Sequence, residues 1–385
     1  MKLVSFILLT IFNLLATVYG QNPLTKEILY AGSFSERGSK GIYVFQFDRN
    51  DVKLINLQTV TEGEDPSFLA IDPLGKYLYA VYDQTAIKRD GKGSVVSFKI
   101  NPSTGFLKKL NEQSSEGRGP CHISVDPKGR FIYVSNYGSG TLSVYPINSD
   151  GSLDTASDVI HHVGNGPHPN QKGPHVHSVI PSADGKFVYV CDLGVDKLFF
   201  YQVENKGKLI PATVPFYKCA PGSGPRQFAI SPDGKYAALV EELISGLIFF
   251  NRNLKTGELT PIQHFSMLPD SCSERGSDAT VYFSPDNNFV YATNWGPLGM
   301  TVYSIDKKVN QLKLVHKDST FGTHPRDICI DKNGEYVFIA NMGSDNLVVL
   351  KRNEITGNLS SIDREIRVPG ISCIVQLIID GKAKK

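Results

Sequence analysis

The chain has 385 residues, with 40 lysines and arginines against 38 aspartates and glutamates, which gives a formal net charge of +2. This near-balance argues against a protein that coats nucleic acid, because such proteins need a basic face to displace phosphate counterions. Hydrophobic residues make up 41% of the chain, enough for a substantial core and too many for extensive disorder. The 35 glycines, 22 prolines, 21 phenylalanines and 17 tyrosines favour many strands joined by many turns.

The first twenty residues have the composition of a secretory signal peptide. Lys2 precedes an apolar stretch, and Val18 and Gly20 place small residues before a cleavage point at Gln21. The stretch is shorter and more polar than the roughly 20 apolar residues of a membrane span, so an uncleaved anchor is the weaker alternative. We therefore expect a signal peptide over 1–20 and one mature domain over 21–385. That domain would be exported, either periplasmic or secreted, with no membrane contact after cleavage.

Six cysteines occur, at positions 121, 191, 219, 272, 329 and 373. An even number in an oxidising compartment allows disulfides, but several fall in strand-like runs, where buried free thiols are the alternative. The absence of a C-x-x-C pair argues against a structural zinc site.

A strand, a tight turn and a second strand recur along the chain. In residues 123–136, two runs of alternating apolar residues flank the turn Asp126-Pro-Lys-Gly129, where proline presets one backbone angle and glycine accepts a positive one. Related turns lie at 72–75, 182–185, 231–234, 284–287 and 331–334. Asn287 replaces glycine in one of them, and asparagine is the next most tolerant residue there.

The second strands recur with a period near fifty residues. Their equivalent positions are Tyr30, Tyr79, Tyr133, Tyr189, Ala238, Tyr291 and Phe338. Two further strands follow each hairpin, and this period with several strands per repeat indicates a β-propeller. The alternative, a two-domain β protein, does not explain the regular spacing.

The two ends of the chain predict how the ring closes. Residues 28–34 resemble a second strand without a first, and residues 369–376 resemble a first strand without a second. Together they would complete one blade, which removes the open sheet edges. We therefore predict an all-β, seven-bladed β-propeller whose last blade is closed by the N- and C-terminal strands.

Polar residues collect at the ends of these hairpins away from the turn. Residues equally far from a turn should meet across the hairpin. The predicted partners are Arg226 with Glu242, His122 with Asn136, His177 with Asp192, and Arg326 with Asn341. All would surround one cavity where the first strands begin, which favours a ligand site. For each residue the alternative is a structural role, such as turn capping by Asn136 or Asp192.

Two clusters bear on the chemistry. Glu242 ends an apolar strand and would be desolvated unless it is paired or used, whereas Glu241 should point the opposite way. His175 and His177 lie on one side of a strand and could bind a metal with a carboxylate, but no third ligand has suitable spacing, so we expect neither metal nor cofactor. His161, His162 and His168 lie in a loop rich in glycine and proline and are expected to be solvated.

The ordered motifs GPHVHS (173–178), CDLG (191–194), GPR (224–226), EL (242–243), SNY (135–137) and HPR (324–326) resemble the seven-bladed lactonase family. That family includes propeller-type 6-phosphogluconolactonases and the fungal carboxy-cis,cis-muconate cycloisomerase. The resemblance covers nearly all of residues 21–385. It implies a propeller acting on a lactone ring, with His177, Arg226 and Glu242 as catalytic residues.

The resemblance has two departures. Gln227 stands where the family usually has histidine, and Trp295 stands where it has arginine. Losing that arginine weakens the case for a phosphorylated or doubly charged substrate, although Arg275 is a candidate replacement from a neighbouring loop. Gln227 and Trp295 are therefore predicted substrate-binding residues, with His122, Asn136, His175, Asp192 and Arg326.

These residues predict hydrolysis by water. Neutral His177 would take the proton of water, Arg226 would stabilise the oxyanion, and Glu242 would orient Arg226 or act as the alternative base. The chain has no G-x-S-x-G motif, which disfavours a covalent acyl-enzyme. Export would favour an unphosphorylated aldonolactone over 6-phosphogluconolactone, which is made in the cytosol. A non-catalytic binding propeller and a lactone or muconate isomerase are the alternatives; the sequence does not predict an oligomeric state.

Overall fold

The computed structural model describes residues 25–83, 91, 93–268, 277–295 and 299–380. Their 28 strands form seven four-stranded antiparallel sheets, the blades of a propeller. The first three blades are made of β4 (Pro66–Ile71), β5 (Tyr77–Tyr82), β6 (Ser94–Ile100) and β7 (Leu107–Ser114); β8 (Pro120–Val125), β9 (Phe131–Asn136), β10 (Thr141–Pro146) and β11 (Asp158–His161); and β12 (Val176–Pro181), β13 (Phe187–Asp192), β14 (Lys197–Val203) and β15 (Leu209–Lys218).

Blades 4 to 6 continue in the same order. They are made of β16 (Pro225–Ile230), β17 (Tyr236–Glu241), β18 (Gly246–Arg252) and β19 (Leu259–Ser266); β20 (Asp278–Phe283), β21 (Phe289–Asn294), β22 (Met300–Asp306) and β23 (Gln311–Asp318); and β24 (Pro325–Ile330), β25 (Tyr336–Asn341), β26 (Asn346–Arg352) and β27 (Leu359–Arg367). Three one-turn 3-10 helices cover Ser35–Arg37, Leu193–Val195 and Asn205–Gly207. No helix in the described ranges is long enough to cross a membrane.

Blade 7 joins the two ends of the chain. Its inner strand is the C-terminal β28 (Ile371–Ile379), which pairs with the N-terminal β1 (Lys26–Ser33), followed by β2 (Ile42–Asp48) and β3 (Lys53–Val60). Each inner strand contacts the inner strands of both neighbouring blades, from β4 round to β28 and back. The predicted all-β, seven-bladed ring and its closure are confirmed.

The predicted turns form as their residues require. In the first hairpin of blade 2, the amide of Gly129 donates to the carbonyl of Asp126 over 2.7 Å, with Gly129 at a φ of 66°. Asn287 adopts the same positive φ, 58°, in blade 5. These positions explain why glycine or asparagine ends each turn.

Apolar side chains fill the space between blades. Tyr79 and Val81 of blade 1, for example, pack against Ile123, Ile132 and Val134 of blade 2, and all five are at most 1% exposed. This packing makes neighbouring blades one continuous core and fixes their inner strands around the axis.

Buried tyrosines of the second strands also join the blades. The hydroxyl of Tyr291 in blade 5 donates to the carbonyl of Gly357 in blade 6 over 2.9 Å and accepts from Nε of Arg352 over 2.7 Å. Tyr189 makes the same two contacts with Gly257 and Arg252. At the equivalent position, the hydroxyl of Tyr133 has no hydrogen-bond partner among the described residues.

This contrast predicts the effect of removing single hydroxyls. Tyr291→Phe should lower the free energy of unfolding by about 1–3 kcal/mol, because Arg352 and the Gly357 carbonyl would both lose a buried partner. Tyr133→Phe is the matched control and should change it little. Denaturant unfolding of both variants measures the difference; equal losses would contradict the role of the Tyr291 bridge.

Candidate active site

Each inner strand begins with a β-bulge at the same end of the ring, which we call the mouth. In blade 4, Pro225 pairs with Glu241 and Gln227 pairs with Val240, so Arg226 has no partner across the hairpin. The residues skipped in this way are Ser67, Cys121, His177, Arg226, Arg326, Ser372 and, in blade 5, the pair Ala279 and Thr280. A bulge redirects its extra side chain away from the ladder. All seven blades therefore carry the same kind of bulge at the mouth.

The bulges shift the pairing by one residue from the mirrored partners expected from sequence. Glu241 rather than Glu242 ends the ladder of blade 4, and Asn136 lies opposite Pro120 rather than His122. Likewise Asp192 lies opposite Val176, and Asn341 lies opposite Pro325. The expected backbone pairing was wrong, because symmetric counting from a turn assumes a ladder without a bulge, although the side chains of Arg226 and Glu242 still meet.

A cavity of about 280 Å³ opens at the mouth, and we call it the mouth cavity. Its side chains are charged, polar or aromatic: Asp83, Arg226, Glu242 and Arg326, with Phe34, Ser67, Cys121, Tyr137, His177 and Trp295. The predicted catalytic residues His177, Arg226 and Glu242 therefore share one cavity, although they come from blades 3 and 4. Trp295 and Arg326 reach it from blades 5 and 6.

Arg226 is held firmly on several sides. Its Nε lies 2.7 Å from Oε2 of Glu242, in an ion pair that is 4% and 17% exposed at the two side chains. Its Nη1 donates to the carbonyl of Ala279, and its guanidinium lies 5.6 Å from the ring centre of Trp295. Glu242 and the neighbouring blade thus fix the orientation of Arg226, which supports the orienting role expected of Glu242.

Glu241 points away from the mouth cavity, as predicted. Its Oε2 lies 2.7 Å from Nε2 of His264 on the fourth strand of the same blade, and this contact raises the pKa of His264. Consecutive residues at a strand end face opposite sides. Only Glu242 of the two is therefore available to a ligand.

His177 is buried beside the mouth cavity. Its Nδ1 has no hydrogen-bond partner among the described residues, and its ring meets the ring of Tyr137 edge-on at 5.6 Å. Burial lowers its pKa well below 6.5, and the nearby guanidiniums of Arg226 and Arg326 lower it further. The imidazole is therefore neutral near pH 7 and able to accept a proton.

A smaller chamber of about 10 Å³ lies beside the mouth cavity and has room for about one water molecule. His122 and Gln227 line this chamber rather than the larger cavity, together with His177, Arg226 and Arg326. Burial and the charge of Arg226 lower the pKa of His122 to about 3. Both residues thus lie beside the site, but behind the groups that face a ligand.

Three further predicted substrate-binding residues, Asn136, Asp192 and His175, line neither the mouth cavity nor the smaller chamber. Asn136 donates to the carbonyl of Ser115 and to two hydroxyls of its own blade. Asp192 accepts from Nδ1 of His162 over 2.7 Å and from the amide of His175 over 2.8 Å. His175 stacks on Tyr137, with ring centres 4.4 Å apart, and donates from Nδ1 to its carbonyl over 2.9 Å. These residues support the strand entrance and the Tyr137 wall.

His162 was expected to be solvated, and that expectation was wrong. It is buried between Asp192 and the hydroxyl of Tyr201, which lies 2.9 Å from its Nε2. Its partner Asp192 also accepts from the amide of Gly194, which fixes the turn after β13. Loop composition did not reveal these long-range partners.

The sequence did not single out Cys121, Asp83, Phe34 or Ser67 as lining residues, and it noted Tyr137 only within a motif. For Cys121 and Ser67 the missing signal was the bulge itself, which skips the residue between the proline that opens the inner strand and the next paired residue. The thiol of Cys121 contacts the carbonyl of His177 at 3.3 Å, and burial raises its pKa to about 12. Cys121 is therefore a protonated thiol.

The five described cysteines are free thiols, and no three metal-ligating side chains cluster within the described ranges. Cys272 and Arg275 lie outside the described residues, as does the predicted signal peptide. The proposed substitution of the missing family cation by Arg275 thus stays a prediction.

A closed ring of seven blades with a charged cavity at its axis defines a β-propeller built around a small-molecule site. The chain belongs to the family described as Lactonase, 7-bladed beta-propeller, whose profile matches residues 28–376. The predicted family is confirmed, and with it a lactone-hydrolysing enzyme.

Individual relatives cover nearly the whole domain. The 6-phosphogluconolactonase of Bacillus subtilis is 32% identical over 351 residues, which make up 91% of this chain and 98% of the relative. A protein of the same name from Formosa agariphila is 33% identical over 355 residues, which make up 90% of this chain and 98% of the relative. The solved periplasmic gluconolactonase of Pseudomonas aeruginosa is 29% identical, with a TM-score of 0.86 and coverage of 92% of this chain and 99% of that one.

Proposed function

We propose that the protein opens the ring of an unphosphorylated aldonolactone by direct attack of water in the mouth cavity. The observation that carries this proposal is the convergence, at the bulges, of a neutral imidazole with two guanidiniums. His177 lines the same cavity as Arg226 and Arg326, and its Nδ1 is unpaired among the described residues. A base beside groups that stabilise negative charge is what ester hydrolysis by water requires.

His177 takes the proton of the attacking water. The two guanidiniums make it a weak base in the empty site, but the oxyanion that forms during attack offsets their charge and raises its basicity as the reaction proceeds. No nucleophile competes with water among the described lining residues. The hydroxyl of Ser67 has no hydrogen-bond partner there that would activate it, and the thiol of Cys121 donates to the backbone carbonyls of Val176 and His177.

Size and charge favour a small, uncharged lactone. The mouth cavity of about 280 Å³ is just below the roughly 300–1,000 Å³ of pockets that hold drug-sized ligands. Its described charged residues are two arginines and two acidic residues, so their formal charges cancel. Trp295 adds an aromatic wall, which suits the C–H face of a sugar ring better than a phosphate.

The relatives support both parts of this proposal. The relatives named 6-phosphogluconolactonase support a sugar lactone as the substrate class. The Pseudomonas aeruginosa structure is described as a periplasmic gluconolactonase, which supports an unphosphorylated lactone. Export through the segment 1–20 would likewise separate this enzyme from phosphorylated cytosolic intermediates. Mass analysis of the mature N-terminus tests this export: cleavage before Gln21 supports it, and an intact Met1 in the cell fraction contradicts it.

A lactone panel tests the substrate. We expect kcat/KM for glucono-1,5-lactone to exceed that for its 6-phosphate by about tenfold or more, because the described lining offers a phosphate no second unpaired cation and Trp295 would desolvate it. Acid release, corrected for spontaneous hydrolysis, gives both values. Trp295→Arg is the informative variant and should narrow or reverse the ratio, whereas Trp295→Phe should keep it. A wild-type preference for the phosphorylated lactone would contradict the proposed substrate.

A further inference from the structure

The two arginines of the mouth cavity are bound to the protein unequally. Arg226 pairs with Glu242, donates to the carbonyl of Ala279 and packs beside Trp295. The ion pair with Glu242 and the hydrogen bond to Ala279 hold the guanidinium in one orientation. An oxyanion would have to compete with Glu242 for it. Arg226 is thus poorly placed to be the main acceptor of new negative charge.

Arg326 has no such partners. Within the described ranges, no carboxylate lies at ion-pair distance from Arg326 and no acceptor binds its guanidinium. Its guanidinium carbon instead lies 4.9 Å from the ring centre of Phe34, a cation–π contact. The adjacent carboxylate, Asp327, instead accepts from the hydroxyl of Tyr282 and the amide of Ile374, each over 2.9 Å. Arg326 nevertheless lines both the mouth cavity and the smaller chamber.

The side chain of Arg326 is half-buried, and an unpaired guanidinium there costs some stability. Burial and the neighbouring charge of Arg226 lower the pKa of Arg326 to about 10, so it still carries its charge at neutral pH. Removing a charge from water without a counter-charge is unfavourable, and proteins keep such groups where a ligand supplies the partner. The hydrogen-bonding capacity of Arg326 is therefore directed at something that enters the cavity.

Arg326 and His177 enter the cavity from distant blades. His177 belongs to blade 3 and Arg326 to blade 6, and in a ring of seven no two blades are further apart. Arg226 belongs to blade 4, directly beside His177. A lactone carbonyl between His177 and Arg326 can receive water from one side and direct its oxygen to the other.

We propose that Arg326, rather than Arg226, binds the carbonyl oxygen of the lactone, stabilises the oxyanion and then holds the carboxylate of the product. This inference rests on the proposed lactone hydrolysis. Water adds its oxygen to the carbonyl carbon while one proton passes to His177 and the carbonyl electron pair moves to the oxygen facing Arg326. Collapse breaks the ring C–O bond, His177 returns its proton to the ring oxygen, and the second proton of water leaves the new acid to solvent.

Arg326→Gln tests this role, with Arg326→Lys as the conservative variant and the exposed Arg118→Gln as the control. Arg326→Gln should lower kcat by about 10²–10³ and weaken inhibition by gluconate by about tenfold or more, with partial recovery in Arg326→Lys. In the pH profile of kcat/KM, the fall of activity on the acid side should move to higher pH in Arg326→Gln. The reason is that the variant lacks one of the charges that lower the pKa of His177. Arg118→Gln should change none of these.

Thermal unfolding separates this role from a structural one. Removing an unpaired charge should leave the melting temperature of Arg326→Gln unchanged or raise it, whereas loss of a structural arginine would lower it. If the wild type hydrolyses the lactone and Arg326→Gln keeps both the same kcat and the same inhibition by gluconate, the inference about Arg326 is overturned. The proposed function would still stand. If the wild type hydrolysed no lactone, the proposed function would fail. Calorimetric binding of gluconate that depends on Arg326 would then still support the anion site, and its absence would overturn both.

Discussion

Replacing His177 with alanine is expected to lower kcat for lactone hydrolysis by about 10²–10⁴, with a small change in KM. The imidazole is the neutral, unpaired base of the mouth cavity, and no other described lining side chain combines these properties. Because the base acts on water rather than on the bound lactone, its loss falls mainly on the transition state. Initial rates of acid release at saturating and limiting lactone concentrations give the two constants.

The pH dependence of the wild type adds a second readout for the same base. Its pKa is lowered, so His177 stays deprotonated as the pH falls through 6.5, and kcat/KM should begin to fall only below that value. His175→Gln is the neighbouring control and should cost less than about tenfold, since His175 supports Tyr137 without lining the cavity. Full activity of His177→Ala would contradict the assignment of His177 as the base. A wild-type kcat/KM that already falls above pH 6.5 would contradict it as well.

Glu242→Gln is expected to have the second-largest effect. It leaves the guanidinium of Arg226 without its counter-charge, and breaking such a buried pair typically costs about 3–5 kcal/mol of stability, an upper bound here because Glu242 is partly exposed. The cavity would also gain one net positive charge, which lowers the basicity of His177 further. We expect kcat to fall by about 10²–10³, because His177 becomes a weaker base and the loosened Arg226 disorders the cavity wall beside it.

Glu241→Gln provides a control one residue away on the same strand end. Glu241 is fully buried and faces His264 on the outer side of the blade, so its loss should affect stability but not the mouth cavity. The expected kcat of this variant is within about twofold of the wild type. Equal losses of activity in both variants would show that Glu242 acts only through the fold.

The blades could be predicted from sequence because each hairpin carries its own local signals. The turn of blade 2 needs a positive φ at Gly129, its flanking strands alternate apolar residues, and the pattern repeats. The half-blades at residues 28–34 and 369–376 then required a shared sheet. Local signals that recur with one period constrain the topology strongly.

The site was predicted less completely, because side-chain direction depends on register. One bulge per inner strand moved Asn136 and Asp192 away from the mirrored partners and brought Cys121 and Ser67 into the cavity wall. The partners of His162 come from β13 and β14, more than twenty residues away, and no loop pattern reveals them. Likewise, the sequence predicted that Arg226 stabilises the oxyanion. The structure shows that the guanidinium of Arg226 is already paired with Glu242.

A crystal structure of the wild-type protein with gluconate would show where the reacting carbon lies. We expect the aldonate in the mouth cavity, with its carboxylate about 2.7–2.9 Å from the guanidinium of Arg326 and its carboxyl carbon facing His177. Gluconate bound at the opposite end of the ring, or with its carboxylate in solvent and its chain remote from His177, would contradict this expectation.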